Sequence, residues 1–368
     1  MGACLALGAC SPGAQRDDWP EGALVAGRGA ALATLLAQLQ RLEGTPLARE
    51  AAQLAGRLDA CERVEGRDPG GSLAEAIRAT GCAAPQGPYA PVHAWRGDRD
   101  LAFAVPLANG ARLRGAASVS EAGDVELELL LPPDAFAGAR RLLLPGTRPA
   151  GPGVLSGAER LVQLRLRPDG GLDLAALVPA NGQADRLFRL KSGLFEGLVL
   201  DGTWEIALYV PEAGHPMPRA ALALGFDSRS AARAGMDGFL DEIEATWPVN
   251  RTAFSVGAAS GACLLDLRVL PDLAPCYVAT DRALVVGWNP ASVRKALDGA
   301  PGVAGDSAGF ATAELARFPE ADARLASLAP GDRDSAPAHW PWRRAVADGA
   351  RDGAAVRIRV HLDAAGGA

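Results

Sequence analysis

The chain has 368 residues, 49% hydrophobic and 22% charged, enough to bury a sizeable core as one large or two ordinary domains and too apolar for a disordered polypeptide. Its 37 basic and 43 acidic residues leave a net charge of −6 with no long basic run, which argues against a nucleic-acid partner. Arg, Asp or Gly interrupts every apolar stretch before the roughly 18 residues that a membrane-crossing helix needs.

The first feature in chain order is an apolar stretch, Leu5-Ala6-Leu7-Gly8-Ala9, that ends in small residues immediately before Cys10. Leu7, Gly8, Ala9 and Cys10 resemble the four positions of a bacterial lipobox. The resemblance implies cleavage before Cys10 and lipidation of its thiol, so that Cys10 anchors the chain to a membrane through acyl chains of the palmitate type. Ser11, where an Asp would mark retention at the inner membrane, implies an outer-membrane lipoprotein facing the periplasm. Residues 11–22 mix Ser, Pro, Gly, Gln, Arg and Asp without apolar periodicity, so residues 1–22 read as signal-peptide remnant and tether.

Residues 23–90 read as a helical region. Leu32, Leu35, Leu36, Leu39 and Leu42 recur at helical spacing up to Gly44, and Thr45-Pro46 offers a cap and first-turn proline for a second helix bearing Leu47, Leu54 and Leu58. Together they predict a helical hairpin. Ser72 and Glu75 form a capping-box pair that starts a short third helix before Gly81.

Alternation replaces helical spacing from about residue 92. Strands are predicted at 101–107, 112–119, 125–131, 161–166 and 172–178, then at 203–210, 219–226, 252–256, 263–269, 276–280, 283–288 and 355–362. Gly110, Gly123 and Asp169-Gly170-Gly171 fall between runs and make close turns, so neighbouring strands are expected to be antiparallel. Helices are expected near 228–245, 291–298 and 311–328, with Trp340 and Trp342 beginning another. The fold class is therefore α+β, a helical hairpin followed by a large antiparallel β-meander body over residues 91–368 with interspersed helices. A strand or hairpin leads into a helix at 125–143, 219–245 and 276–298, which suggests recurring units. Cys276-Tyr277-Val278-Ala279, the Thr280-Asp281-Arg282 turn, Ala283 to Trp288 and Asn289-Pro290 resemble units of uncharacterised secreted bacterial α+β proteins, which implies topology and not chemistry.

Cys61 and Cys82 flank one local segment and Cys263 and Cys276 another, so two local disulfides are expected. Neither spacing is C-x-x-C, and His93, His215, His339 and His361 are scattered, so no metal and no cofactor are expected. Ser292-Val293-Arg294-Lys295 matches the S-x-x-K pattern of penicillin-recognising serine enzymes, but no S-D-N or K-T-G segment follows, and a helix start explains Ser292 more simply.

The charge pattern on the strands gives the remaining expectation. Arg112 and Arg114, Glu126 and Glu128, Arg165 and Arg167, and Arg357 and Arg359 each occupy one face of a strand. Glu beside Arg strands makes an ordinary solvated ladder; convergence of Arg165, Arg167, Arg357 and Arg359 without carboxylates makes a wall for an anionic lipid headgroup or glycan. The reading that unites these features is a non-enzymatic cell-envelope lipoprotein with a binding or scaffolding role toward an envelope protein, lipid or glycan. The alternatives are a periplasmic carrier of a lipid or other hydrophobic ligand and a cryptic serine hydrolase.

Overall fold

A computed structural model of the chain describes residues 21–42, 46–58, 60–83, 98–107, 112–132, 153–166, 204–212, 219–226, 228–266, 273–299, 311–326, 340–352 and 355–365. These residues form an α+β structure dominated by one antiparallel sheet of sixteen strands. From one edge to the other the order is β10 (Asn250–Val256), β11 (Ala259–Leu265), β12 (Cys276–Ala279), β13 (Ala283–Gly287), β9 (Arg219–Gly225), β8 (Trp204–Tyr209), β7 (Arg160–Leu166), β14 (Ala311–Ala313), β15 (Trp342–Asp352), β16 (Ala355–Ala364), β6 (Val125–Leu131), β5 (Arg112–Val119), β4 (Leu101–Pro106), β1 (Ala23–Arg28), β2 (Arg63–Asp68) and β3 (Gly81–Cys82).

The N-terminal part begins with a strand. β1 (Ala23–Arg28) pairs with β2 (Arg63–Asp68) on one side and β4 (Leu101–Pro106) on the other, and β3 (Gly81–Cys82) closes that edge. The helical region expected over 23–90 therefore contributes three strands to the sheet as well. Ala-Leu-Val-Ala is a short buried run with no alternation to mark it, and the helical period of the leucines after it hides the boundary. Helices α1 (Gly29–Gln40) and α2 (Pro46–Leu58) arise where predicted, burying Leu32 and Leu36 from one and Ala51, Leu54 and Leu58 from the other in a shared cluster. In α3 (Leu73–Arg78), the Ser72 hydroxyl accepts from the Glu75 N–H at 3.3 Å.

β5 (Arg112–Val119) and β6 (Val125–Leu131) extend β4 as a meander, and β7 (Arg160–Leu166), β8 (Trp204–Tyr209) and β9 (Arg219–Gly225) form a second one. The predicted strand at 172–178 and the strand-to-helix unit expected to end at 143 extend outside the described residues. From β9 the chain crosses the sheet through α4 (Arg229–Thr246) to the far edge at β10 (Asn250–Val256). It returns inward through β11 (Ala259–Leu265), β12 (Cys276–Ala279) and β13 (Ala283–Gly287), which pairs with β9. α5 (Pro290–Leu297) follows, with Asn289 as its cap: the Asn289 Oδ1 accepts from the Ser292 N–H at 2.8 Å.

Two C-terminal expectations are corrected. The helix predicted over 311–328 is a strand β14 (Ala311–Ala313), one 3-10 turn at Leu315–Arg317 and a shorter helix α6 (Phe318–Ala326). Trp342 opens not a helix but β15 (Trp342–Asp352), which forms a long hairpin with β16 (Ala355–Ala364). These three strands join the two meanders in the middle of the sheet, because β14 pairs with β7 and β16 with β6. Large apolar residues are sparse in β14 and β15, which leaves sequence period a weak guide there, whereas the alternation of Val356, Ile358, Val360 and Leu362 places β16 as predicted.

Directly opposed residues share a face, so the register assigns every side chain. Leu164, Ala311, Ala347, Val360, Leu127, Ala117 and Leu101 form one row across the first face. That face carries the cluster under α1 and α2 at one end and, at the other, the cluster in which Ala232, Met236, Leu240 and Ile243 of α4 pack. Burying each of the three larger side chains contributes about 1.5–3 kcal/mol. The second face carries α5, whose Val293 and Ala296 cover Ala221, Val278 and Val285. Among the described residues, no helix is long and apolar enough to cross a membrane.

Candidate functional site

Four groups of side chains hold the chemistry of the described structure. The first is a buried polar layer on the second face, beside the apolar cluster under α5. Arg160, Gln163 and Arg165 of β7, Glu205 and Tyr209 of β8, Arg219 of β9 and Thr312 of β14 are all buried there. Glu205 stands opposite Arg165 in register and accepts from the N–H groups of Val154 at 2.7 Å and Leu155 at 3.4 Å, as well as from the Gln163 amide. It therefore ties residues 153–155 down onto the sheet. Burial, reinforced by the charge of Glu205, pushes the Tyr209 phenol well above its ordinary range, so it stays neutral. Of these residues the sequence pointed only to Arg165, as one of a pair of arginines on a strand face; a Glu in the otherwise apolar Trp204–Tyr209 strand is the signal that marks the layer.

The second group is an open cleft of about 800 Å³ at one end of the sheet, bounded by α5, the start of α4 and the turns β10–β11 and β12–β13. Gly257, at φ +57°, makes the first turn, and Thr280 accepts from the N–H groups of Arg282 and Ala283 to shape the second. Its wall is of mixed charge. Arg229 donates to Asp281 at 2.8 Å, Lys295 pairs with Glu159, and Glu212 reaches inward to the buried Arg219 at 3.1 Å. Arg294 lies with its guanidinium carbon 5.4 Å from the centroid of Phe254. The Lys295 partnership holds the Glu159 carboxyl below the usual carboxylate range.

The S-x-x-K pair lies in this region without a nucleophile's geometry. Ser292 is buried, and its hydroxyl donates to the Asn289 Oδ1 at 2.8 Å, while Lys295 is turned to Glu159. The helix-start reading of Ser292 fits these bonds, with Asn289 rather than Ser292 as the capping residue.

The third group is the charge ladder. β6 lies between the two arginine strands β5 and β16, with Glu128 opposite Arg359 and Glu126 opposite His361. Glu128 pairs diagonally with Arg357 at 3.4 Å, and Arg99 reaches Glu126 at 3.2 Å and Glu128 at 3.7 Å. Arg359 is flanked in register by Glu128 and Asp348. Arg165 shares the face but is three strand steps away, about 14 Å at ordinary interstrand spacing. Arg167 lies outside the described residues. The structure thus places Arg357 and Arg359 among carboxylates and keeps Arg165 apart from them in the buried layer.

The fourth group is the cysteines. Cys61 and Cys82 are disulfide-bonded with Cα atoms 5.2 Å apart, tying the end of α2 to β3. Cys263 and Cys276, directly opposed on β11 and β12, form the second bond beneath α5. Both expected pairings are present; Cys10 lies outside the described residues. Among the described residues, no group of three or more His, Cys, Asp or Glu side chains is arranged to hold a metal ion. Comparison with protein-family models, curated proteins and solved structures returns no match.

Proposed function

We propose that this chain is a non-enzymatic binding or scaffolding protein of the bacterial cell envelope, anchored through lipidated Cys10 to the outer membrane on its periplasmic side. The observation that carries the address is the pair of disulfides, because such bonds persist where thiols are not kept reduced. The binding role draws on the open cleft of mixed charge beside α5 and on the commitment of the Ser292 hydroxyl to Asn289. The partner is an envelope protein, lipid or glycan. Mass spectrometry of the N-terminal peptide from a complete secretory form tests the anchor: a diacylglyceryl group on Cys10 is the expected result, and an unmodified Met1–Cys10 segment in envelope fractions contradicts it.

One observation favours the carrier reading. Across the middle of the first face, Leu113, Leu164, Trp204 and Ile358 are only partly buried, and Ile206 is 36% exposed. An apolar strip of this kind suits a hydrophobic ligand laid along the sheet. Organic extraction of natively purified protein followed by lipid mass spectrometry separates the readings: a stoichiometric lipid supports the carrier, and its absence returns the strip to packing.

A further inference from the structure

The two edges of the sheet are built differently. At one end β3 is two residues long and carries a disulfide-bonded cysteine. At the other end β10 runs for seven residues, Asn250 to Val256, as the outermost of the described strands. An edge of that length presents a row of main-chain donors and acceptors to any extended chain.

The register identifies which groups are free to pair. The Leu264 N–H donates to the Pro275 carbonyl, so Leu264 faces β12 and its neighbour Cys263 faces β10. Thr252, opposite Cys263, and Phe254, opposite Gly261, therefore use their main-chain groups on β11. Arg251, Ala253 and Ser255 turn theirs outward. All three are exposed. The devices that blunt edges are missing from this strand: it has no proline and no lysine, and its one arginine is folded back onto α4. The Arg251 guanidinium reaches Asp241 at 2.5 Å, Glu244 at 3.2 Å and Asp237 at 3.9 Å.

The surroundings select the occupant. On the first face three α4 carboxylates lie beside the edge against two guanidinium groups, Arg251 and Arg233, and Asp266 stands at the strand end, where it accepts from the Asn250 amide at 2.6 Å. That margin is acidic. On the second face half-buried Phe254, packed on the cluster under α5 and with the Arg294 guanidinium over its ring, leaves an apolar edge and a cation beside the strand. We propose that β10 is a docking edge that accepts an extended segment of a partner protein as an added strand, with basic side chains toward α4 and apolar ones beside Phe254. This deepens the binding reading above and rests on it, while remaining independent of the anchor and of the compartment.

The test uses the full disulfide-bonded chain and two labelled eight-residue peptides, one alternating lysine with valine and one alternating glutamate with valine. Fluorescence anisotropy is expected to give at least tenfold tighter binding of the lysine peptide, weakened by added salt. Ala253→Pro removes an outward N–H without touching a bond to β11, so it is expected to cut that binding at least tenfold with an unchanged melting temperature. Backbone N-methylation of alternate peptide residues, tested on the unaltered protein, is expected to do the same and keeps the test sound should the proline variant misfold. Equal affinity for the two peptides, or undiminished binding after N-methylation, overturns the proposal. So does a dimer, seen by sedimentation, that Ala253→Pro dissolves, since the edge then belongs to a second copy. Binding failure with Cys10 lipidated removes the docking edge alone, whereas an unlipidated Cys10 with peptide binding intact removes the anchor alone.

Discussion

The Trp342 indole N–H donates to the Gly123 carbonyl at 3.1 Å across 219 residues of chain, fastening the C-terminal hairpin to the β5–β6 turn. Gly123 sits at φ +89°, a backbone conformation that favours glycine, with the Gln38 side chain of α1 packed against it. The same turn supplies Asp124, whose carboxylate accepts from the Ala364 N–H at 2.8 Å. Residues from three distant parts of the sequence thus meet at one point. Trp342→Phe keeps most of the buried area but strands the Gly123 carbonyl, and is expected to cost about 1–3 kcal/mol in urea unfolding. Trp342→Ala adds a cavity and is expected to cost about 3–5 kcal/mol.

That junction also shows what the sequence conceals. The β4–β6 meander, the turn glycine, α1, α4 and α5 all follow from period and punctuation, because each has one buried face and one exposed face. The connection through β14 and β15 does not. Those strands read Ala-Thr-Ala and Trp-Arg-Arg-Ala-Val-Ala-Asp-Gly, in which few large apolar residues report a period, whereas β16 alternates Val356, Ile358, Val360 and Leu362 and falls where that period predicts it; the place of all three in the sheet is fixed by pairing with β7 and β6 more than a hundred residues away. The disulfides were legible because their partners are close in sequence. The buried layer was not: Arg160, Arg165, Glu205 and Arg219 come from three strands, and only the assembled sheet turns them to one interior. Arg112 with Arg114 and Arg357 with Arg359 each share a strand face as expected, but whether such pairs converge depends on strand order, which composition does not encode.

Glu205 sets the cost of disturbing that layer. Glu205→Ala removes the acceptor for Val154, Leu155 and Gln163 and leaves buried guanidinium groups with less compensation. It is expected to destabilise by about 3–5 kcal/mol in chemical denaturation. Glu205→Gln keeps an acceptor oxygen and should cost less; equal losses from the two variants would show that the charge contributes little.

Acid stability follows from two carboxylates. The Ala364 N–H, aided by the Ser120 hydroxyl, holds Asp124 below the usual carboxylate range, and Lys295 does the same for Glu159. For a depressed folded pKa, the stabilisation is fully present above the unfolded value, about 4, and is lost as pH falls through the folded one. Melting temperature should therefore drop below about pH 4, and Asp124→Asn should flatten that acid limb while lowering stability at neutral pH. An unchanged slope in Asp124→Asn would contradict the assignment.

The α5 cap gives a small and specific prediction. The Asn289 Oδ1 accepts from both the N–H and the hydroxyl of Ser292 inside the protein. Asn289→Ala is expected to cost about 0.5–2 kcal/mol by thermal melting, as a lost helix cap does. Ser292 in the intact protein should also resist a fluorophosphonate probe; labelling that disappears in Ser292→Ala would revive the serine-hydrolase reading.

Thiol trapping in intact cells tests the envelope account most directly, because it reads the redox state of Cys61, Cys82, Cys263 and Cys276 where the protein works. Cells producing the complete secretory form are quenched with an alkylating reagent, and the peptides are mapped without reduction. The account predicts Cys61–Cys82 and Cys263–Cys276 linked and none of the four alkylated, with each bond contributing about 2–4 kcal/mol to stability. All four cysteines recovered as alkylated thiols from the native cells would contradict it.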